Sequence, residues 1–125
     1  MTLESHIEIP YPNHTGNHSV RHAGGRHYLT QEARDYRMAV YKAAVRAGLA
    51  AARLTGPLMA EFILAPPDRR ARDADNLLKV VKDGLTQAGV WVDDSNKVIR
   101  ETRVRWTDPM PGGAIHLTIT GMGEQ

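Results

Sequence analysis

Residues 58–89 read LMAEFILAPPDRRARDADNLLKVVKDGLTQAG, and the hydrophobic period changes once along them. Leu58 to Leu64 form an apolar run stopped by Pro66 and Pro67, the pattern of a strand. From Asp75 or Asn76 to Ala88 the period becomes helical: Leu77, Val81, Leu85 and Ala88 recur on one face, and Gly89 follows as the stop. A basic run with two aspartates separates these elements. Upstream, His6–Ile9 alternates as a short strand. A second helix opens at Thr30 as N-cap, with Met38, Tyr41, Ala44 and Val45 as its expected buried stripe and Gly48 weakening its end. Downstream, Val90–Val92 is a short extended piece, Asp93–Asn96 a turn, and Lys97–Trp106 an alternating strand. Ala114–Thr120 closes the sheet with Ile115, Leu117 and Ile119 inward. Trp91 and Trp106 both stand in apolar strand contexts and are expected in the core. The order β-α-β-α-β-β predicts an α+β fold: one domain over residues 1–125, a mixed sheet of about four strands with two main helices packed on it.

Composition bounds the chemistry. With 125 residues, 42% apolar and 24% charged, the chain has enough for a single core. The net charge is +2 and the sequence pI about 9.2, a weak lean towards nucleic acid. No cysteine is present, which excludes disulfides, thiolate zinc sites and cysteine nucleophiles. The N-terminus carries no signal-peptide pattern and no apolar run reaches membrane-spanning length, so a soluble, cytoplasmic protein is expected. Residues 11–28, YPNHTGNHSVRHAGGRHY, hold three glycines and no acid and read as a long loop. Its His14, His18 and His22 are spaced four apart like a helical metal ladder. Pro12, Gly16 and Gly24-Gly25 argue against the helix such a ladder needs.

The aspartates pose the functional question. Asp73 and Asp75 point the same way if the backbone there is extended, and Lys79 shares a helical face with Asp75. A helix from 75 to 88 is about 20 Å long, and the segment up to Asp93 and Asp94 can return about that far. Three or four carboxylates would then meet at one helix start beside a lysine. Such a cluster calls for a cation, and oxygen-only ligands suit Mg²⁺ or Mn²⁺. On composition alone structural roles are the commoner case for such acids: Asp75 as an N-cap, Asp93-Asp94 as turn formers. A calcium EF-hand loop starting at Asp73 fails, because Leu78 and Gly84 stand where glycine and glutamate are needed. A phosphatase-type aspartate nucleophile fails too, since eight residues separate Leu64 from Asp73.

PDRRARDADNLLKVVKDGLTQAGVWVDD resembles the signature of the RusA family of Holliday junction resolvases, endodeoxyribonucleases of bacteria and their phages. That pattern is a basic run, Asp-x-Asp-Asn-Leu-x-Lys on a helix, then Gly-x-x-x-Asp-Asp. The C-terminal LTITGMG is similar to the family's last strand, so the likeness covers nearly the whole chain. It implies that Asp73, Asp75 and Asp94 are metal-binding catalytic acids, with Asp93 beside them, and that Lys79 is the catalytic lysine. It also implies Mg²⁺ as cofactor with Mn²⁺ as substitute, branched DNA as substrate, and a homodimer suited to a two-fold symmetric junction. Arg69, Arg70 and Arg72 become expected contacts to the DNA backbone, joined by Arg21 and Arg26 from a mobile loop. The chain departs from the family at NHTGNHSVRH, where aromatic and basic residues are frequent. The competing reading is a DNA-binding module without catalysis; loss of an acid or of Lys79 would favour it, and all are present.

Overall fold

The computed structural model describes residues 3–13, 20–23 and 26–123, with backbone alone for 20–23 and 26–28. Its elements are β1 (Glu4–Ile9), β2 (Val20–Ala23), β3 (Arg26–Leu29), α1 (Gln31–Ala47), β4 (Leu58–Ala65), α2 (Ala74–Gln87), β5 (Ile99–Trp106) and β6 (Ala114–Gly121). Four strands form one mixed sheet in the order β1-β6-β4-β5, where β1, β6 and β4 run antiparallel and β5 lies parallel to β4. The α+β class and the four-stranded sheet agree with the sequence.

Strict alternation builds the core. Leu58, Ala60, Phe62 and Leu64 of β4 and Ile115, Leu117 and Ile119 of β6 are buried on one face. Ile7 and Ile9 of β1 continue that layer. From α2, Leu77, Leu78, Val81 and Leu85 close over it, and Trp91 is sealed beneath with its indole N–H donating to Thr86 Oγ1 at 2.8 Å. Burying several such side chains, each worth about 1.5–3 kcal/mol, fixes α2 on the sheet.

Three expectations need correction. The buried residues of α1 are Ala33, Tyr36, Val40, Ala43 and Ala44, while Met38, Tyr41 and Val45 are exposed. Three of the five are alanines, and Val40 meets Gly84 where α1 packs closely on α2, while the larger apolar side chains at 38, 41 and 45 lie on the other face. Trp106 is 37% exposed rather than core. It ends the edge strand β5, whose residues beyond Ile99 are all partly or fully exposed. Finally, residues 20–29 are not loop throughout. β2 and β3 pair antiparallel, Val20 opposite Leu29 and Ala23 opposite Arg26, with Gly24-Gly25 between them in sequence. Two short runs joined by a Gly-Gly dipeptide are a hairpin signal that the glycine-rich composition hid. His22 therefore belongs to a strand and cannot join a helical ladder, and His14 and His18 lie outside the described residues.

The helices meet at Gly84, where an added Cβ would come within 3.2 Å of Val40 Cγ2. On an open helix face, replacing glycine gains up to about 1 kcal/mol. Here Gly84→Val is expected to lose about 1–3 kcal/mol through overpacking, read as a lower urea midpoint. An unchanged or raised midpoint would show that α1 and α2 are not held this closely.

Candidate active site

The helix start comes first, because it aims the acids. Asp73, not Asp75, is the N-cap of α2: its backbone is extended (φ −102°, ψ 115°) and its Oδ1 accepts the Asp75 N–H at 2.9 Å. Its Oδ2 accepts from Asn76 Nδ2 at 3.3 Å. Asp75 sits inside the first turn, so the two acids do not alternate along a strand. The capping role offered for Asp75 is thus already filled. The Asp75 and Asp94 carboxylates and the Lys79 ammonium have no hydrogen bond or ion pair among the described residues. Lys79 follows Asp75 by one helical turn, and all three residues are exposed. Asp83, the other acid that could pair with Lys79, faces Arg37 at 4.0 Å instead.

Asp93 and Asp94 lie on the segment between Val92 and β5. Asp93 shapes the turn by accepting the Ser95 N–H at 2.7 Å. Hydrogen bonds from Ser95 hold its carboxyl below the usual range, with Lys97 adding to the effect. The expected convergence of three or four acids is not found within one chain: among the described residues no group of three or more His, Asp or Glu side chains could hold a metal ion. What the fold supplies is separate, solvent-facing carboxylates on two segments.

Beside the start of α2 lies a cleft of about 490 Å³ lined by Tyr11, Pro12, Asn13, Arg70, Asp73 and Asn76, among others. The wall formed by residues 11–13 was not anticipated, since their sequence signalled only a loop. Tyr11 stands against Gly113, where an added Cβ would meet its Cβ at 2.8 Å. Gly113 also has φ +71°, so it can hardly be anything but glycine. The Tyr11 hydroxyl is buried without a partner among the described residues, and burial raises its pKa.

The basic run divides in two. The Arg72 side chain is 19% exposed and its guanidinium is committed to the loop itself. It donates to the carbonyls of Asp68 (3.1 Å) and Arg70 (2.9 Å), pairs with the Asp68 carboxylate (2.8 Å), and lies 6.0 Å from the Tyr11 ring centroid. Its expected role as a DNA contact gives way to that of a clamp. Arg69 and Arg70 remain exposed, Arg70 pairing with Asp68 at 3.1 Å. They share a shallow depression with Trp106 and Pro109. Arg21 and Arg26 fall in β2 and β3, and their side chains are outside the described residues.

The family model of endodeoxyribonuclease RusA matches residues 10–119. The chain belongs to the RusA endodeoxyribonuclease family. Its class of activity is accordingly phosphodiester hydrolysis within DNA. A crossover junction endodeoxyribonuclease from Enterobacteria phage 82 is 37% identical over 120 residues, covering 96% of this chain and 97% of the relative. Proteins of the same name from Escherichia coli strain K12 and Shigella sonnei strain Ss046 are each 38% identical over 119 residues, covering 95% of this chain and 96% of each relative. No helix among the described residues is long and apolar enough to cross a membrane.

The clamp makes a prediction with a definite sign. Hydrogen bonds from the Arg70 side chain and backbone, then from Arg72, hold the Asp68 carboxyl well below the ordinary carboxylate range. A depressed acid stabilises the folded loop above its unfolded pKa, near pH 4, and that contribution is lost as pH falls through the folded value. Arg72→Ala should lower the melting temperature at pH 7 and speed amide exchange over residues 68–73. Its effect on melting should shrink below about pH 4. Equal melting of wild type and variant at pH 7 would show that Arg72 is not a clamp.

Proposed function

We propose that this chain resolves four-way DNA junctions by paired nicks, with Asp73, Asp75 and Asp94 as the carboxylates available to a divalent cation that water and phosphate oxygens complete, and Lys79 beside the scissile phosphate. The observation that carries the reading is the state of Asp75 and Lys79: one helical turn apart, exposed, and unpaired among the described residues. A structural salt bridge would have joined them. Left apart, a carboxylate and an ammonium can address opposite charges on one ligand, a metal ion and a phosphate oxygen.

The donor chemistry suits Mg²⁺, with Mn²⁺ as a substitute. All candidate ligands are carboxylate oxygens, and Mg²⁺ is commonly held by one or two carboxylates while keeping waters and taking up phosphate oxygens. A dedicated three-carboxylate cage is not required. When bound, the ion supplies an activated water and charge stabilisation at phosphorus. The chain does the rest. Asp73 uses one lone pair on each oxygen to fix the start of α2 and has others to offer. Asp93 holds the turn that presents Asp94. The Lys79 ammonium offsets negative charge that grows on the phosphate oxygens in the transition state.

Substrate binding falls to the exposed basic residues. Arg69 and Arg70 neutralise DNA phosphates, and Trp106, open in the same depression, can stack on an unpaired base at the branch. Arg21 and Arg26, whose backbones lie in β2 and β3, are further proposed contacts to the DNA backbone. A homodimer would present two such sites to the two equivalent strands of a junction.

A synthetic four-way junction, read on a denaturing gel with Mg²⁺, Mn²⁺, Ca²⁺ or excess chelator, tests the proposal. Nicking is expected with the first two only, since calcium's looser geometry activates water poorly. Equal cleavage in chelator would contradict metal dependence, and binding without cleavage in any metal would make the chain a junction-binding module. Lys79→Ala should slow single-turnover cleavage by about 100-fold, the loss of one transition-state charge contact, with the melting temperature unchanged. Arg69→Ala and Arg70→Ala should each flatten the slope of log affinity against log salt by about one unit. Slopes unchanged in both would move the DNA to another face.

A further inference from the structure

The face of the sheet turned away from α1 and α2 carries a second polar constellation, unrelated to the acids of α2. In the β1–β6 ladder His6 stands opposite Thr118 and Glu8 opposite His116, which sets the two histidines diagonally on one face. Their outer nitrogens are both held by carboxylates: His6 Nε2 lies 3.1 Å from Glu4 Oε1, and His116 Nδ1 is hydrogen-bonded to Glu8 Oε1. Their inner nitrogens, His6 Nδ1 and His116 Nε2, are 3.2 Å apart. Thr118 Oγ1 is also 3.2 Å from His6 Nδ1.

The proton count makes this arrangement incomplete. A neutral imidazole has one N–H, and an ionised glutamate can only accept, so each ring spends its proton outward. Both inner nitrogens then present lone pairs on the same side, a pair of acceptors that the Thr118 hydroxyl, a shared proton or a cation can satisfy. Two further facts favour a metal ion. Nitrogens bound to one tetrahedral zinc at 2.0–2.1 Å are about 3.3 Å apart, close to the separation already present. A histidine that donates its other N–H to a carboxylate is the arrangement that orients metal-binding imidazoles and makes them more basic, and here both rings have it.

We propose that His6 Nδ1 and His116 Nε2 form a site for one divalent transition-metal ion of the zinc, nickel or copper type. Imidazole nitrogens select these ions over the magnesium and calcium that carboxylates prefer. No third His, Asp or Glu ligand completes the site among the described residues, so water, and the Thr118 hydroxyl beside it, fill the other positions. The face is supportive: Glu4 and Glu8 place negative charge directly behind the two rings. The site sits on the strands rather than on the helix that bears the catalytic acids, so it stands or falls apart from the nuclease reading.

Histidine ¹⁵N resonances of the full-length protein, titrated with Zn²⁺ in saturating Mg²⁺, test this ring by ring. The His6 and His116 rings are expected to respond along one shared isotherm, through Nδ1 of the first and Nε2 of the second, approaching one ion per pair. His6→Ala should weaken zinc binding at His116 tenfold or more, and His116→Ala should do the same at His6. Glu8→Gln keeps both ligands and should still weaken binding by about tenfold or more, through loss of the carboxylate behind His116. Rings that titrate independently, or an affinity at His116 that survives His6→Ala in a folded protein, would overturn the proposal and leave only a shared proton between them.

Discussion

A carboxylate on a helix can act at a fixed place only if the helix itself cannot move, and the burial of α2 supplies that constraint. Leu77, Leu78, Val81 and Leu85 press into the layer formed by β4 and β6, and Gly84 lets α1 approach from the side. Each apolar contact is small; together they leave the helix one position and one rotation. Its opposite face is thereby determined as well. Asp75 and Lys79 point to solvent because Leu77, Leu78 and Val81 cannot.

The polar groups then divide between holding the loop and facing solvent. Asp68 and Arg72 tie residues 68–72 together, Asp73 ends that loop and starts the helix, and Asp93 does the same work in the turn before β5. Their oxygens and nitrogens are largely engaged within the protein. Among the described residues Asp75, Lys79, Asp94 and Arg69 have no such partner, and they carry charge into water. A site whose ligands are solvated and apart can still take a metal ion together with DNA, since phosphate oxygens and water supply the remaining positions.

Much of this was legible in the sequence because its signals were periodic. The alternation in β4 and β6 and the one-sided apolar pattern of α2 each determine an element and its buried face. Size is a poor guide to the stripe of α1: Met38 and Tyr41 outweigh Val40, Ala43 and Ala44 in apolar surface, yet it is the smaller three that are buried, with Val40 against Gly84 of the neighbouring helix. Trp106 was misplaced for a related reason, since alternation in β5 cannot reveal that the strand lies at the sheet's edge. The basic run could not show which arginine turns inward. That depends on Tyr11, Gly113 and Asp68, which meet only in three dimensions. The acids stand out by their pattern, but the described residues do not show the predicted convergence, because spacing limits how far a segment can reach without saying where it goes.

The central claim is that Asp75 is a ligand and not a structural acid, and Asp75→Asn tests it with least ambiguity. The substitution preserves size and leaves the cap at Asp73 in place, so folding should survive, checked by a thermal melt. Cleavage and metal-free binding are then measured on the same four-way junction. Cleavage should fall below detection while binding holds or tightens, because a carboxylate facing DNA phosphates repels them. A folded Asp75→Asn protein that cuts the junction at the wild-type rate would contradict the account.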